Sequence, residues 1–315
     1  MNPEILLRSP AFSDPFLVAG AAGVALMLGY IATQWWAATR RYAFEARRSR
    51  LELAELGKKI EVLNLKAQAA PEVAWNGFRK FTVARKVEEC DDTYSFYLAP
   101  HNGRPLPPFK PGQYLTFEVQ PPGAPKAQIR CYSLSDGALS EDHYRVTIKR
   151  FIKDDGTPGV VSTYFCDHVR EGDILNVKAP SGKFFLDVEV DRPVVLISGG
   201  IGITPFLSLV ASEAFARREG KSTLVYAVTD RAAAVYLDEL RDRGKALPHL
   251  MIAHHYSDEA GYLDLAYLES AVEEPLPDCL FMICGPPQLM DAMRDLLAGA
   301  GVDDRQIIVE DFEIR

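Results

Sequence analysis

The chain has few cysteines and no excess of basic residues, and each absence excludes a class of protein. Five cysteines are scattered singly along 315 residues, without the C-x-x-C spacing of zinc sites and iron–sulfur clusters: Cys90, Cys131, Cys166, Cys279 and Cys284. A formal net charge of −8 argues against a nucleic-acid binder, because contacts to phosphates need a basic surface. We therefore expect no metal site, no nucleic-acid partner and free thiols in a reducing compartment.

Charge is also missing between residues 15 and 39, where Ala, Gly, Val and Leu dominate. Crossing about 30 Å of hydrocarbon takes roughly 20 helical residues, so the run predicts a transmembrane helix at about residues 16–38, within an N-terminal segment 1–39. Trp35 and Trp36 stand where an interfacial aromatic belt would lie. A cleaved signal peptide is the alternative, but it would need a basic amino end and a shorter apolar run.

Basic residues are distributed unevenly about this run, which predicts its orientation. Only Arg8 precedes it, whereas five arginines follow: Arg40, Arg41, Arg47, Arg48 and Arg50. The positive-inside rule then places the rest of the chain in the cytoplasm. The sequence predicts a single-pass membrane protein with a cytoplasmic body.

Residues 40–71 are rich in strong helix formers and predict a stalk helix that Pro71 ends. A short heptad seam runs along it, at Leu53, Leu56, Ile60 and Leu63, and small residues spaced four apart precede it, at Ala21, Ala25 and Gly29. Both features would permit a homodimer through anchor and stalk. A single helix lying on the membrane or on the body is the other interpretation.

The body divides into two regions of different pattern. Between residues 72 and 189, β-branched and aromatic runs separated by Pro and Gly predict a small antiparallel barrel or sandwich. Between residues 190 and 315, strands alternate with helices, which predicts a parallel sheet covered on both faces. One of these helices is predicted over residues 204–219, from the stretch TPFLSLVASEAFARRE.

A glycine loop, GGIGITP, follows the first strand of the alternating region. Backbone N–H groups of such a loop, at the start of a helix, suit a pyrophosphate. The loop departs from the G-x-G-x-x-G dinucleotide pattern because Pro205 replaces the third glycine. Glycine turns end many strands, so the loop alone is weak support for a nucleotide site.

Four motifs occur in a recognisable order: RCYSL at 130–134, GVVS at 159–162, GGIGITP at 199–205 and CGPP at 284–287. Together with the barrel-then-sheet pattern they resemble the ferredoxin–NADP reductase superfamily, over roughly residues 75–315. In that family Pro205 would be the normal residue of the loop. The resemblance implies an FAD-binding β-barrel domain at 72–189 and an NAD(P)-binding α/β domain at 190–315.

The resemblance also implies a role for each motif in flavin binding. Arg130 would hold the pyrophosphate of FAD, Tyr132 would stack on the isoalloxazine, and Ser133 would hydrogen-bond near flavin N5. Further groups would complete the site: Leu134, Gly159, Val160, Val161 and Ser162. These donors are sufficient for a pyrophosphate, so we expect FAD rather than FMN. For Arg130 and Tyr132 the alternative is an ordinary strand with a surface arginine.

Nicotinamide binding is implied for Thr204 and Cys284, with the remaining contacts from the two glycine motifs: Gly199, Gly200, Gly202, Pro205, Gly285 and Pro286. Core packing is the alternative for Cys284. Phe312, and with it Glu310, would line the flavin; for Phe312 the alternative is packing in the core. Asp230 ends the next strand, where an acid accepts from a ribose 2′-hydroxyl and disfavours a 2′-phosphate. We expect a preference for NADH, although Arg231 would suit the phosphate of NADPH.

The sequence thus predicts a membrane-anchored oxidoreductase in which NAD(P)H gives hydride to FAD, with Tyr132, Ser133 and Cys284 at the reacting groups. FAD would pass single electrons to a separate redox protein, a haem protein or a ferredoxin. Two alternatives remain open. One is a reductase of a small diffusible acceptor, such as a quinone, free flavin or ferric chelate; the other is a flavin-bearing redox sensor or assembly subunit without turnover.

Overall fold

A computed structural model describes residues 27–31, 33–36, 40, 75–137, 142–153 and 155–310. The chain forms two compact units, Met1–Gln68 and Ala69–Arg315. In the first unit, residues 27–31 and 33–36 are helical and exposed. No helix within the described residues combines the length and the apolar character needed to cross a bilayer. Most of the predicted span at 16–38, and all but Arg40 of the predicted stalk at 40–71, lies outside the described residues.

Six antiparallel strands build the first half of the second unit, which we call the barrel half (residues 75–189). Their order across the sheet is β4-β3-β6-β1-β2-β5. Leu134 and Val146 form an antiparallel bridge that brings the two outermost strands together, as in a barrel. The predicted antiparallel domain is therefore confirmed. Its strands are β1 Arg79–Cys90, β2 Thr93–Pro100, β3 Tyr114–Val119, β4 Gln128–Ser133, β5 Tyr144–Lys149 and β6 Ile174–Val177.

The core of the barrel half is centred on one aromatic side chain. Phe165, from helix α1 (Val160–Asp167), is fully buried. Its ring makes edge contacts with Phe96 and Phe117, each at 5.4 Å between centroids, and with Tyr132 at 5.5 Å. Edge-to-face pairs at these separations stabilise a core beyond the apolar area that they bury. Helix α1 is thereby fixed against strand β4.

A five-stranded parallel sheet builds the second half, which we call the α/β half (residues 190–310). Its order is β11-β10-β7-β8-β9. Alternate residues of β7 enter two separate cores: Val194 and Leu196 pack in one, Val195 and Ile197 in the other. Both faces of the sheet are therefore covered, as predicted. The strands are β7 Val194–Gly199, β8 Ser222–Val228, β9 Leu250–Tyr256, β10 Leu280–Cys284 and β11 Ile307–Val309.

Helices of this half connect its strands. Their bounds are α2 Thr204–Val210, α3 Glu213–Ala216, α4 Leu237–Ala246, α5 Ser257–Ala260, α6 Leu265–Ala271 and α7 Pro287–Gly299. Helices α6 and α7 contribute to the core that contains Val195, whereas α2 and α3 contribute to the core that contains Val194. Short 3₁₀ helices occupy Gly200–Ile203, Leu276–Asp278 and Asp304–Gln306.

The prediction of one continuous helix over 204–219 is wrong. The chain forms α2 and α3, separated at Ala211 and Ser212. The Ser212 hydroxyl donates to the carbonyl of Leu209 at 2.7 Å and accepts from the N–H of Phe215 at 3.2 Å. A serine that satisfies backbone groups in this way starts a new helix instead of continuing the old one.

Replacing Phe165 with alanine should lower the free energy of unfolding by about 3–5 kcal/mol, because a large cavity would remain among the rings that surround it. Phe151→Ala is the matched control: the same side chain, in the same half, is 62% exposed, so the cost should stay below about 0.5 kcal/mol. Chemical denaturation of the flavin-free protein measures both. Equal losses in the two variants would contradict the central role of Phe165.

Candidate active site

The glycine loop lies at the carboxyl edge of the parallel sheet. Strand β7 ends at Gly199, the 3₁₀ turn Gly200–Ile203 follows, and α2 starts at Thr204 with Pro205 in its first turn. Gly200 has a φ of +53°, a left-handed conformation that glycine adopts without steric cost. Ligands bind at this edge in open parallel sheets. The loop predicted to bind nicotinamide dinucleotide is thus placed where such a ligand belongs.

The two glycine motifs of the α/β half are in direct contact. Cys284 on β10 is the register partner of Ser198 on β7. A Cβ atom added to Gly202 would lie 2.3 Å from the carbonyl oxygen of Cys284, closer than any real contact. The structure therefore brings GGIGITP and CGPP together, and it does so only because position 202 carries no side chain.

Cys284 lies at the end of β10 with 1% of its surface exposed. Burial, with the nearby Glu310 carboxylate as the lesser cause, raises the pKa of its thiol well above the ordinary value. The sulfur is consequently a neutral thiol at physiological pH and not a nucleophilic thiolate. The chain turns immediately afterwards, through Gly285 and Pro286, into α7.

Glu310, the last described residue, lies beside the end of strand β10, which carries Cys284. Its N–H donates to the carbonyl of Ile283 at 3.0 Å, and 3% of the residue is exposed. The Glu310 charge is a minor cause, after burial, of the raised pKa of the Cys131 thiol on strand β4. Phe312, predicted to line the flavin, lies outside the described residues.

Strand β4 carries the predicted flavin-binding residues of the barrel half. Arg130 is exposed, with its guanidinium 2.6 Å from the carbonyl of Ile129. Tyr132 is partly buried against Phe165, and burial raises the pKa of its phenol. Leu134, by contrast, is fully buried in the barrel core, and its N–H already donates to the carbonyl of Gln113 at 2.9 Å.

The surroundings of the Ser133 hydroxyl indicate whether the barrel half could bind a flavin. It is 4% exposed, and its Oγ has no hydrogen-bond partner among the described residues. A buried hydroxyl without a partner costs free energy, so such atoms in native proteins are commonly satisfied by a ligand or water. Ser133 lies at the end of β4, next to the exposed Arg130 and the partly buried Tyr132. These residues fit a bound flavin.

The GVVS motif forms the start of helix α1. Gly159 is the N-cap residue, and the first-turn N–H groups of Val160 and Val161 have no acceptor within the helix. The Ser162 hydroxyl is already engaged: it donates to the carbonyl of Gly159 at 3.2 Å and accepts from the N–H of Phe151 at 3.0 Å. Backbone N–H groups, and not this hydroxyl, are the donors that the turn offers to a phosphate.

Asp230 follows strand β8, next to the strand that leads into the glycine loop. Its Oδ1 accepts from the N–H of Ala233 at 2.8 Å, which leaves Oδ2 for a ribose hydroxyl. Arg231 is exposed beside it. Burial, and secondarily the charge of Arg231, lower the pKa of His254, so this neighbouring imidazole is neutral at physiological pH. Asp230 and Arg231, the two residues predicted to select between NADH and NADPH, thus both lie at the carboxyl edge of the parallel sheet.

Sequence reasoning missed the residues that join the two halves. Tyr236 of the α/β half reaches Ser95 and Thr147 of the barrel half. Arg145 on β5 likewise lies 3.4 Å from Glu239 on α4. No local pattern signalled these contacts, because the partners are distant in sequence. Within the described part of the chain, no cluster of His, Cys, Asp and Glu suitable for a metal ion occurs.

Comparison with known proteins agrees with both halves. Residues 80–186 match the oxidoreductase FAD-binding domain family, and residues 196–295 match the oxidoreductase NAD-binding domain family. A flavohemoprotein of Deinococcus radiodurans is 38% identical over 273 residues, which cover 82% of this chain and 64% of that protein. The FAD/NAD-binding domain of nitric oxide dioxygenase from Vibrio cholerae superposes with a TM-score of 0.66 at 33% identity, covering 75% of this chain and 98% of that domain.

The chain belongs to the ferredoxin reductase-like family of FAD- and NAD-binding oxidoreductases. It is an NAD(P)H-dependent flavin oxidoreductase, with FAD and NAD(H) as its cofactors. Phthalate dioxygenase reductase, described as transferring electrons from pyridine nucleotides to [2Fe-2S], superposes with a TM-score of 0.59 at 29% identity, covering 74% of this chain and 68% of that one. The chain spans 61–64% of the length of three flavohemoproteins that it resembles.

When bound, FAD would supply the redox chemistry of this family, as the acceptor of a hydride from the nicotinamide. The chain's own residues bind and orient the two groups. In the α/β half, the edge formed by the glycine loop and Cys284 would hold the dinucleotide, and in the barrel half strand β4 would present Tyr132 and Ser133 to the flavin.

Replacing Ser133 with alanine should slow hydride transfer about tenfold, while the flavin-free protein keeps its stability or gains up to about 1 kcal/mol, because a buried hydroxyl without a partner is removed. Anaerobic stopped-flow and chemical denaturation measure the two effects. Ser208→Ala is the control, since Ser208 is also fully buried with an unpartnered Oγ but lies in helix α2. A Ser133 variant with an unchanged rate would contradict the assigned role.

Replacing Asp230 with asparagine should reduce the preference for NADH over NADPH about tenfold in kcat/KM. Asparagine retains the acceptor for Ala233 N–H but removes the negative charge that disfavours a 2′-phosphate. Asp238→Asn, an exposed acid paired with Arg241 on α4, is the control. If the unmodified protein already favours NADPH tenfold, Arg231 is the residue that selects the nucleotide.

Proposed function

We propose that the chain is a membrane-anchored reductase whose FAD passes single electrons to a separate haem protein at the cytoplasmic face. The observation that carries the acceptor class is the alignment with flavohemoproteins. The chain matches 63% of the one from Rhodopirellula baltica and 64% of the one from Deinococcus radiodurans. The FAD-binding and NAD-binding family models match residues 80–186 and 196–295 of the same chain. Proteins named for both a flavin and a haem support a haem acceptor for the same module.

The surface charge favours a haem protein over a ferredoxin. The chain carries −8 in total, with one Arg against two acids in residues 1–39 and eight basic against four acidic residues in 40–70. The remaining body therefore carries −11. An acidic body attracts a partner with a basic patch and repels an acidic ferredoxin.

The uncharged run at residues 15–39 supports membrane placement. An anchor followed by the basic segment 40–70 would hold the body near anionic lipid, and it would raise the effective concentration of any acceptor in the same membrane. Small residues in the run and the seam in the stalk would allow two copies to associate there.

Deletion of residues 1–70 tests this proposal. The unit Ala69–Arg315 contains both halves and their cores, so the shortened protein should fold and should reduce ferricyanide with NADH at the rate of the full chain. Electron transfer from NADH to haem in native membranes should fall at least tenfold, because the acceptor is no longer held nearby.

The matched control replaces residues 1–39 with an unrelated transmembrane helix and should restore the membrane reaction. Equal electron transfer by the shortened and the full chain would refute the anchor. Rapid reduction of quinone, free flavin or ferric chelate, with no haem reduction by either, would instead favour a small diffusible acceptor.

A further inference from the structure

Tyr236 belongs to the α/β half, but its hydroxyl lies among side chains of the barrel half. It follows β8 and immediately precedes α4. The hydroxyl is hydrogen-bonded to Ser95 and lies 2.6 Å from Oγ1 of Thr147. Ser95 and Thr147 face each other on the neighbouring strands β2 and β5, and both are buried. We call Ser95, Ser135, Thr147 and Tyr236 the interdomain cluster.

The interdomain cluster reaches the strand that carries the flavin-binding residues. Thr147 Oγ1 lies 2.9 Å from Oγ of Ser135, which is fully buried. Ser133 is the last residue of β4, and Ser135 lies two residues beyond it. Tyr236 is therefore connected through two hydroxyl groups to the end of the strand that presents Ser133.

A second contact lies beside the first. The Arg145 guanidinium is 4.8 Å from the centre of the Tyr236 ring and donates to the carbonyl of Ser135. It also lies 3.4 Å from a carboxylate oxygen of Glu239, in the first turn of α4. Both contacts join the same strand, β5, to the same end of α4.

The backbone at Tyr236 indicates that its side chain is held in place. Its φ is +62° and its ψ is 23°, a left-handed conformation that is unfavourable for a bulky residue. Among the described residues other than glycine, only Asp92 also has a positive φ. Burial raises the pKa of Tyr236 to about 12, so its hydroxyl keeps its proton at physiological pH and remains a donor. The unfavourable backbone conformation thus occurs at the residue whose hydroxyl is bonded to the barrel half.

We propose that Tyr236 is a positioning residue for hydride transfer, which fixes the separation and angle of the two halves. The nicotinamide edge, with Thr204 and Cys284, belongs to one half, and the strand of Ser133 belongs to the other. Oxidation of NADH and two-electron reduction of FAD require these groups at a reactive distance, and a displacement of about 1 Å lowers such rates up to a hundredfold. A contact between the halves therefore controls the rate.

Tyr236→Phe in the full-length holoprotein tests the proposal. The variant keeps the ring and leaves Ser95 bonded to Thr147 at 3.0 Å, but it removes the Tyr236 hydroxyl and with it the bonds to Ser95 and Thr147. The limiting rate of flavin reduction in anaerobic stopped-flow should fall about tenfold, with FAD content unchanged and the Kd for NADH within about twofold. Amide hydrogen exchange in residues 230–240 should accelerate in both the flavin-free and the flavin-bound protein, while strand β1 is unaffected.

Tyr94→Phe is the matched control. The Tyr94 hydroxyl donates to Glu88 at 3.3 Å within the barrel half, so its loss breaks no contact between the halves. We expect an unchanged reduction rate and an unchanged exchange pattern in this variant. Glu239→Gln provides a second test if Tyr236→Phe fails to retain FAD, because it weakens only the Arg145 contact. It should lower the reduction rate about threefold and accelerate exchange in the same segment.

Two results would overturn the proposal. One is a reduction rate in Tyr236→Phe, or in Glu239→Gln if that variant is needed, within twofold of the unmodified protein. The other is a slower rate without faster exchange in residues 230–240, because the residue would then act without holding the halves together. If the first result comes with a lower melting temperature, Tyr236 has a structural role only.

Discussion

The active site depends on the close approach of two strand-ending turns. Strands β7 and β10 are neighbours in the parallel sheet, so the turns that follow them emerge side by side. Gly202 lies so near the carbonyl of Cys284 that no side chain fits between them. This constraint keeps backbone N–H groups, instead of side chains, at the surface offered to a dinucleotide, and it places the neutral Cys284 thiol beside them.

Each half of the body provides one part of the reaction, and the division follows from the fold. A closed antiparallel sheet buries its aromatic core around Phe165 and leaves strand β4 to present Arg130, Tyr132 and Ser133. An open parallel sheet concentrates its loops at one edge. Hydride transfer requires both, so the polar contacts between the halves have as much bearing on function as the residues within either site.

Stability and function make opposite demands at Ser133. A buried hydroxyl without a partner lowers the stability of the flavin-free protein, and alanine would remove that cost. The same atom fits the polar edge of a flavin. Cys284 differs, because a buried neutral thiol packs favourably in the core whether or not a ligand is present. A buried cysteine at this position is therefore compatible with either role.

Local patterns in the sequence determined the class of each half, the order of the elements and the positions of the four motifs. Alternating and continuous apolar runs differ between exposed and buried strands, and Gly and Pro mark the turns, so short windows are sufficient. The break between α2 and α3 depended on one serine hydroxyl that competes with the helix, which the amphipathic pattern does not reveal. Only the tertiary structure decided that Cys284 meets Gly202 and that the Ser162 hydroxyl is already occupied. It alone decided that Tyr236 crosses to Ser95, a residue 141 positions away, because such a contact arises from the packing of two halves and leaves no local periodicity in the chain.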